Sequence, residues 1–155
     1  MGVKITKMKI IKGDLIKLAK QGTFDLIAHG CNCFCKMGAG IAKDIRIAFP
    51  EAWFADKKTV PGDKKKLGTI TWAQCGDVAV VNAYTQFDYW TKDKVLVEYD
   101  ALRSCFEAIK VQFPGKWIGI PKIGAGLARG DWNRIAAIID EVMVGEDITL
   151  VEYQP

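Results

Sequence analysis

Apolar positions recur along the chain with two periods, and the period changes from segment to segment. Val3 and Ile5 alternate with lysines ahead of Ile10-Ile11, so Val3 to Ile11 predicts a strand. Gly13-Asp14 closes it, and Leu15 to Lys20 predicts a short helical turn. The apolar run Phe24 to Ala28, bounded by turn residues, predicts a buried strand. HGCNCFCKMGAG (29–40) follows as a loop of small residues, and Ile41, Ile45, Ala48 and Phe49 then keep helical spacing until Pro50 ends the helix. Thr69 to Gln74 and Val78 to Tyr84 predict two strands joined across Gly76-Asp77. From Val95 to Phe113, Val95, Tyr99, Leu102, Phe106, Ile109 and Phe113 step by three and four along one helix face. Trp117 to Ile120 predicts a strand, and PKIGAGLARG (121–130) a second glycine-rich loop. Asp131 is a good N-cap for a helix whose stripe is Ile135, Ile138, Ile139 and Val142, and Ile148 to Tyr153 predicts a last strand.

Strands alternating with helices, without repeats or a linker, imply an α/β fold. The expectation is a single domain over residues 1–155: a three-layer α/β/α arrangement with a mixed, mainly parallel sheet of about six strands. Ligands of such sheets sit beyond the carboxyl ends of the strands, which is where both glycine-rich loops fall.

Composition narrows the chemistry. At 155 residues the chain can bury a core without a metal or disulfide staple, and 50% hydrophobic with 26% charged residues excludes disorder. The net charge of +4 suits a small anion and is too weak for duplex DNA. The single histidine, His29, excludes sites that need two, and the alternating Cys31, Cys33 and Cys35 lack the paired spacing of structural zinc, so neither a metal nor another cofactor is expected. An odd number of thiols without a secretory signal points to the cytoplasm. Met1-Gly2 with Thr6 fits a loose myristoylation pattern but runs straight into a predicted strand. No apolar run is long enough to span a bilayer, so no membrane partner is expected. Lys57 to Lys66 is basic, but no aromatics interleave its lysines. It reads as a solvated loop rather than a nucleic-acid patch, and single-stranded nucleic acid stays the outlying alternative.

Gly38-Ala39-Gly40 leads into one helix, and Gly124-Ala125-Gly126 precedes another. Glycines let backbone N–H groups approach an anion, and two such loops in one small domain suggest a ligand with two phosphates, or with a phosphate and a sugar. Neither loop is a P-loop or a dinucleotide fingerprint.

KGDL (12–15), AHGCN (28–32), MGAGIA (37–42) and IPKIGAGL (120–127), in this order, resemble the macro domain family. The resemblance implies an ADP-ribose-binding α/β/α module. Asp14, beside Leu15, would accept from the adenine amino group, although an aspartate there can equally cap the following turn. Asn32 would hold the distal ribose. Gly38, Ala39, Gly40, Ile41 and Ala42, with Ile123, Gly124, Ala125, Gly126 and Leu127, would wrap the pyrophosphate and distal ribose. Tyr153 would pack on the adenine.

Within the family, His29 to Cys33 looks most like the branch that hydrolyses ADP-ribose 1″-phosphate to ADP-ribose and phosphate. That implies His29 as general base or proton carrier, Asn32 as positioning group and Asp131 as a carboxylate near the leaving group. The residues alone also allow a buried His29 bonded to the backbone, and an Asp131 that only caps its helix. The alternatives are a non-catalytic reader of free ADP-ribose or of ADP-ribosylated protein, and a hydrolase that removes ADP-ribose or its O-acetyl esters from carboxylates. The branch that acts on carboxylates uses a lysine and an aspartate where this chain has Gln86 and Ala128, which counts against a covalent lysine mechanism; Lys122 and Arg129 are nearby cations. A monomer is the default expectation.

Overall fold

A computed structural model describes residues 7–90 and 93–155. Six strands form one sheet in the order β1-β6-β5-β2-β4-β3. They are β1 (Lys9–Gly13), β2 (Leu26–Cys31), β3 (Ile70–Cys75), β4 (Val78–Tyr84), β5 (Trp117–Ile120) and β6 (Asp147–Tyr153). All pairings are parallel except the β3–β4 hairpin, so the sheet is mixed and mainly parallel. Helices α1 (Leu15–Lys20), α2 (Gly40–Ala48) and α3 (Pro50–Lys57) cover one face, and α4 (Tyr99–Gln112) and α5 (Trp132–Val142) the other.

Two cores result. Leu26, Ala28, Val81, Ile118 and Ile120 meet Leu102, Phe106, Ile109, Ile135 and Ile139 of α4 and α5. Ile27, Val80 and Val151 meet Leu15, Ile45, Phe49 and Ala52 on the opposite face. Covered on both faces, β2 and β4 read as continuous apolar runs rather than alternating ones. Each isoleucine stripe of α5 that leaves water contributes about 1.5–3 kcal/mol per side chain.

The departures from the sequence pattern have local causes. The predicted first strand falls partly on residues outside the described ones; the described strand is Lys9–Gly13. Pro50 ends α2 and also opens α3 at its first position, where a missing N–H costs nothing. The helix expected from Val95 starts only at Tyr99. Leu96 N and Val97 N donate to Ala128 O, and Glu98 N donates to Thr85 O, so this stretch of backbone is tied to the second glycine-rich loop and to the end of β4. The lysine run ends in a 3-10 turn, Lys64–Lys66, capped by Asp63.

Candidate functional site

A cleft of about 1580 Å³ opens where the strands end, between the glycine-rich loops. Asp14 stands at one end. Its Oδ1 accepts from Ile16 N at 3.0 Å and Lys17 N at 3.1 Å, capping α1 and leaving Oδ2 for another donor. Tyr153, 75% exposed, lines the cleft from the end of β6, which the parallel β1–β6 register sets beside Gly13. Leu15 is buried at the same wall.

The β2–α2 loop is held from within. Asn32 donates through Nδ2 to Lys36 O at 2.7 Å and accepts from Phe34 N at 2.9 Å, so most of its side chain shapes the loop. Cys33 N donates to Phe87 O, and Lys66 Nζ donates to Cys33 O at 3.1 Å. Lys66 is a buried cation that sequence reading treated as solvated loop; it also lies over the Tyr84 ring. Gly38, Ala39 and Gly40 are exposed at the loop's far end, and Gly40 takes φ +59°, a left-handed conformation suited to glycine. Ala39 offers no side-chain cap to α2. The first-turn N–H groups of this nine-residue helix therefore face the cleft without a protein cap, an arrangement that favours an anion.

The second loop is internally bonded. Gly130 N donates to Gly124 O at 2.7 Å, Arg129 N to Gly126 O at 3.0 Å and Ile123 N to Pro121 O at 2.7 Å. Gly124 adopts φ +78°. A Cβ on Gly130 would lie 2.5 Å from Gly124 O and 2.5 Å from Val97 Cγ1. Gly130→Ala is therefore expected to destabilise the protein by about 1–3 kcal/mol of overpacking, lowering Tm by roughly 2–4 °C per kcal/mol. Thermal unfolding followed by circular dichroism measures it; an unchanged Tm would mean that the loop yields freely. Leu127, largely exposed, reaches across to Gly40, so the two loops meet over the cleft.

Thirteen of the positions expected to bind ligand line this cleft: Asp14, Leu15, Asn32, Gly38, Ala39, Gly40, Ile41, Ala42, Ile123, Gly124, Gly126, Leu127 and Tyr153. Ala125 does not; it packs against the α4–α5 core. His29 does not line it either. Its side chain is fully buried on the α2–α3 side of β2, with Nε2 donating to Asn82 Oδ1 at 2.7 Å. That polarity follows because the Asn82 amide nitrogen donates to Ala52 O and Thr71 Oγ1. Burial holds the His29 pKa down at about 4, with the Asn82 bond opposing it in part. Cys31, whose Sγ lies 3.6 Å from His29 Nε2, lines the cleft where His29 does not. Asp131 is the N-cap of α5, accepting from Asn133 N at 3.0 Å, and it too lies outside the lining. The two residues expected to be catalytic thus stand outside the lining: Asp131 caps its helix, and His29 is bonded to the Asn82 side chain rather than to the backbone.

Three of the thiols are held in the protonated form by burial. Burial pushes Cys33 up to about 11 and Cys105 up to about 12, and raises Cys31 well above the usual thiol range. Among the described residues no cluster of three or more His, Cys, Asp or Glu could hold a metal ion, and no helix is long and apolar enough to cross a membrane. Polar side chains in the lining besides Asp14 and Asn32 include Lys36, Asp44, Arg46, Lys57, Gln86 and Lys122. Gln86 Nε2 donates to Asp88 O at 2.7 Å, and Ala128 contributes its backbone carbonyl to the Leu96 and Val97 bonds. Tyr89, Trp90 and Leu96 also line the cleft, and sequence reading missed them because the segment they belong to was assigned to a helix or to no element.

The profile of the macro domain family matches residues 28–139. An uncharacterized 17.5 kDa protein from the tk-vs intergenic region of Enterobacteria phage T4 is 36% identical over 157 residues, covering 96% of this chain and 97% of that protein. The ADP-ribose glycohydrolase OARD1 of Homo sapiens is 28% identical over 155 residues, covering 96% of this chain and 91% of that enzyme. Thermosipho africanus DarTG in complex with ADP-ribose superposes with a TM-score of 0.74 at 15% identity, over 97% of this chain and 43% of that one.

Proposed function

The chain belongs to the macro domain family, and from that membership we propose that its cleft binds ADP-ribose and hydrolyses a bond at the distal ribose, ADP-ribose 1″-phosphate being the substrate. One observation carries the binding: two glycine-rich loops, with left-handed backbone at Gly40 and Gly124, bracket an uncapped helix start inside a single cleft. Backbone N–H groups so arranged fit a pyrophosphate. Asp14 Oδ2 would accept from the adenine amino group while Oδ1 keeps its cap, and the exposed Tyr153 ring would pack on the base. Asn32 would act mainly by shaping the loop around the distal ribose, with one amide hydrogen left for a hydroxyl.

The chemistry falls to Asn32, Lys36, Gln86 and Lys122, since His29 and Asp131 stand outside the cleft. Lys36 and Lys122 would stabilise charge on a 1″-phosphate as water attacks phosphorus. Phosphate-monoester hydrolysis needs on the order of 20 kcal/mol or more of barrier removed for efficient turnover. Two lysines that stabilise charge, without the His29 imidazole in the cleft, support slow hydrolysis. The likeness to an ADP-ribose glycohydrolase favours a second reading, release of ADP-ribose from carboxylate esters. Gln86 and Ala128 leave that reading without a lysine nucleophile or its acid at those positions.

Calorimetry with ADP-ribose is expected to give a saturable one-to-one isotherm, and no heat at millimolar ligand would refute the binding. Incubation with the 1″-phosphate is expected to release phosphate slowly, with hydrolysis weakened in Lys122→Ala. Binding without any release would leave a reader of ADP-ribose, free or attached to protein.

A further inference from the structure

The groove between α2 and α3 opens off the same cleft, and none of the roles above uses it. Trp53 of α3 sits in it between two cations. The Arg46 guanidinium carbon lies 5.3 Å from its ring centroid, and Lys57 Nζ, one turn beyond Trp53, lies 4.3 Å from it. Arg46, Trp53 and Lys57 line the cleft together with Lys36.

Three observations separate this cluster from an ordinary solvated surface. Arg46 Nε is buried and has no hydrogen-bond partner. A buried charged donor without an acceptor is costly, which marks the place of an acceptor supplied from outside. The cations are not used in ion pairs: among the described residues the salt bridges are Lys9–Asp147 and Arg103–Glu141. Asp56, the buried carboxylate of α3, is engaged by the Tyr84 hydroxyl at 2.7 Å instead. Finally, the cleft, at about 1580 Å³, exceeds the roughly 300–1,000 Å³ of a typical small-molecule site, so it has room beyond one nucleotide sugar.

We propose that the α2–α3 groove is a second anion subsite, in which Arg46 and Lys57, held at Trp53, take a phosphate group on the part of a ligand that extends beyond ADP-ribose. That the subsite serves an extension of ADP-ribose rests on the function proposed above; the cation cluster itself does not. Arg46 supplies a planar fork for phosphate oxygens, and Lys57 supplies compact charge. The Trp53 ring holds Arg46 and Lys57 in place before the anion arrives, which reduces the ordering cost of binding.

The test uses the whole chain labelled with nitrogen-15, following the Arg46 Nε–H and Trp53 indole signals while inorganic pyrophosphate is added, with and without saturating ADP-ribose. Both signals are expected to shift saturably, and to shift still when ADP-ribose fills the glycine-rich loops. Arg46→Gln should weaken pyrophosphate binding about tenfold. Lys57→Gln, at an exposed position, should weaken it less and carries the test if Arg46→Gln does not fold. Signals that stay still at millimolar pyrophosphate overturn the proposal, as do shifts that vanish once ADP-ribose is added, because the anion then sat on the glycine-rich loops. If Arg46 responds to pyrophosphate in a protein that does not bind ADP-ribose, the proposed function falls and the subsite stands.

Discussion

Gly38→Glu is expected to abolish ADP-ribose binding while leaving the melting temperature close to that of the parent. Gly38 is exposed in the β2–α2 loop, its φ is outside the left-handed region, and a Cβ built on it meets nothing within 4 Å. The folded chain therefore has room for a side chain, unlike at Gly130, where the backbone stands in the way. What the side chain would occupy is the space of the ligand's phosphates. A carboxylate about 4 Å from a phosphate oxygen costs on the order of 4 kcal/mol at an effective dielectric constant of 20. Screening at this open site reduces that to about 2–3 kcal/mol, a loss of roughly one to two orders of magnitude in affinity before the steric clash is added. Gly38→Ala separates the two causes, since it adds bulk without charge and should lose less. Calorimetry with ADP-ribose, paired with a melting curve, measures both arms. Parent-like affinity in Gly38→Glu would mean that the phosphates lie elsewhere.

The second large effect concerns stability. His29→Ala is expected to destabilise the fold by about 3 kcal/mol, because it opens a cavity and leaves the buried Asn82 Oδ1 without its donor. A domain of this size should then melt roughly 6–12 °C lower. The same residue makes the parent acid-sensitive. Its folded pKa is about 4, below the 6.5 of an ordinary histidine. Above the unfolded pKa neither state binds the proton, so the group adds no pH dependence. As the pH falls below about 6.5, the unfolded chain takes up a proton that the folded chain refuses, and stability falls by up to about 1.4 kcal/mol per unit until the folded state also protonates near pH 4. In total that is about 3 kcal/mol. Urea unfolding near neutrality and near pH 5 checks it. His29→Gln should flatten this part of the acid slope relative to the parent, and identical slopes in the two proteins would sink the assignment. Any loss of hydrolysis in His29→Ala should track the loss of folded protein, since the imidazole does not reach the cleft.

Much of the architecture was legible in the residues. The periods of three and four located α4 and α5, Asp131 marked the start of α5, and the apolar runs located β2, β4, β5 and β6, because each buries a face that its spacing reveals. Pro50 was read as a stop and is also a start; proline ends one helix and is at home in the first turn of the next, so the residue alone does not separate the two. Val95 to Glu98 carries helix-like spacing, but the N–H groups of Leu96, Val97 and Glu98 are spent on Ala128 and Thr85, partners far away along the chain. Lys57 and the lysines after it gave no aromatic signal locally, whereas folding puts Trp53 beside Lys57 and Phe87 beside Lys64.

By itself, then, the order of strands, helices and glycine-rich loops determined the fold and the end of the sheet at which a phosphate-bearing ligand would sit. Local pattern suffices there, because a glycine-rich loop between a strand and a helix start is a local device. Tertiary structure alone decided which residues beside those loops line the cleft. In a strand covered on both faces, both sets of side chains are apolar or paired, so spacing cannot tell the cleft from the core. His29 and Asn32 are neighbours in one motif, yet the pleat and the parallel β2–β4 register send His29 to Asn82 and leave Asn32 to shape the loop.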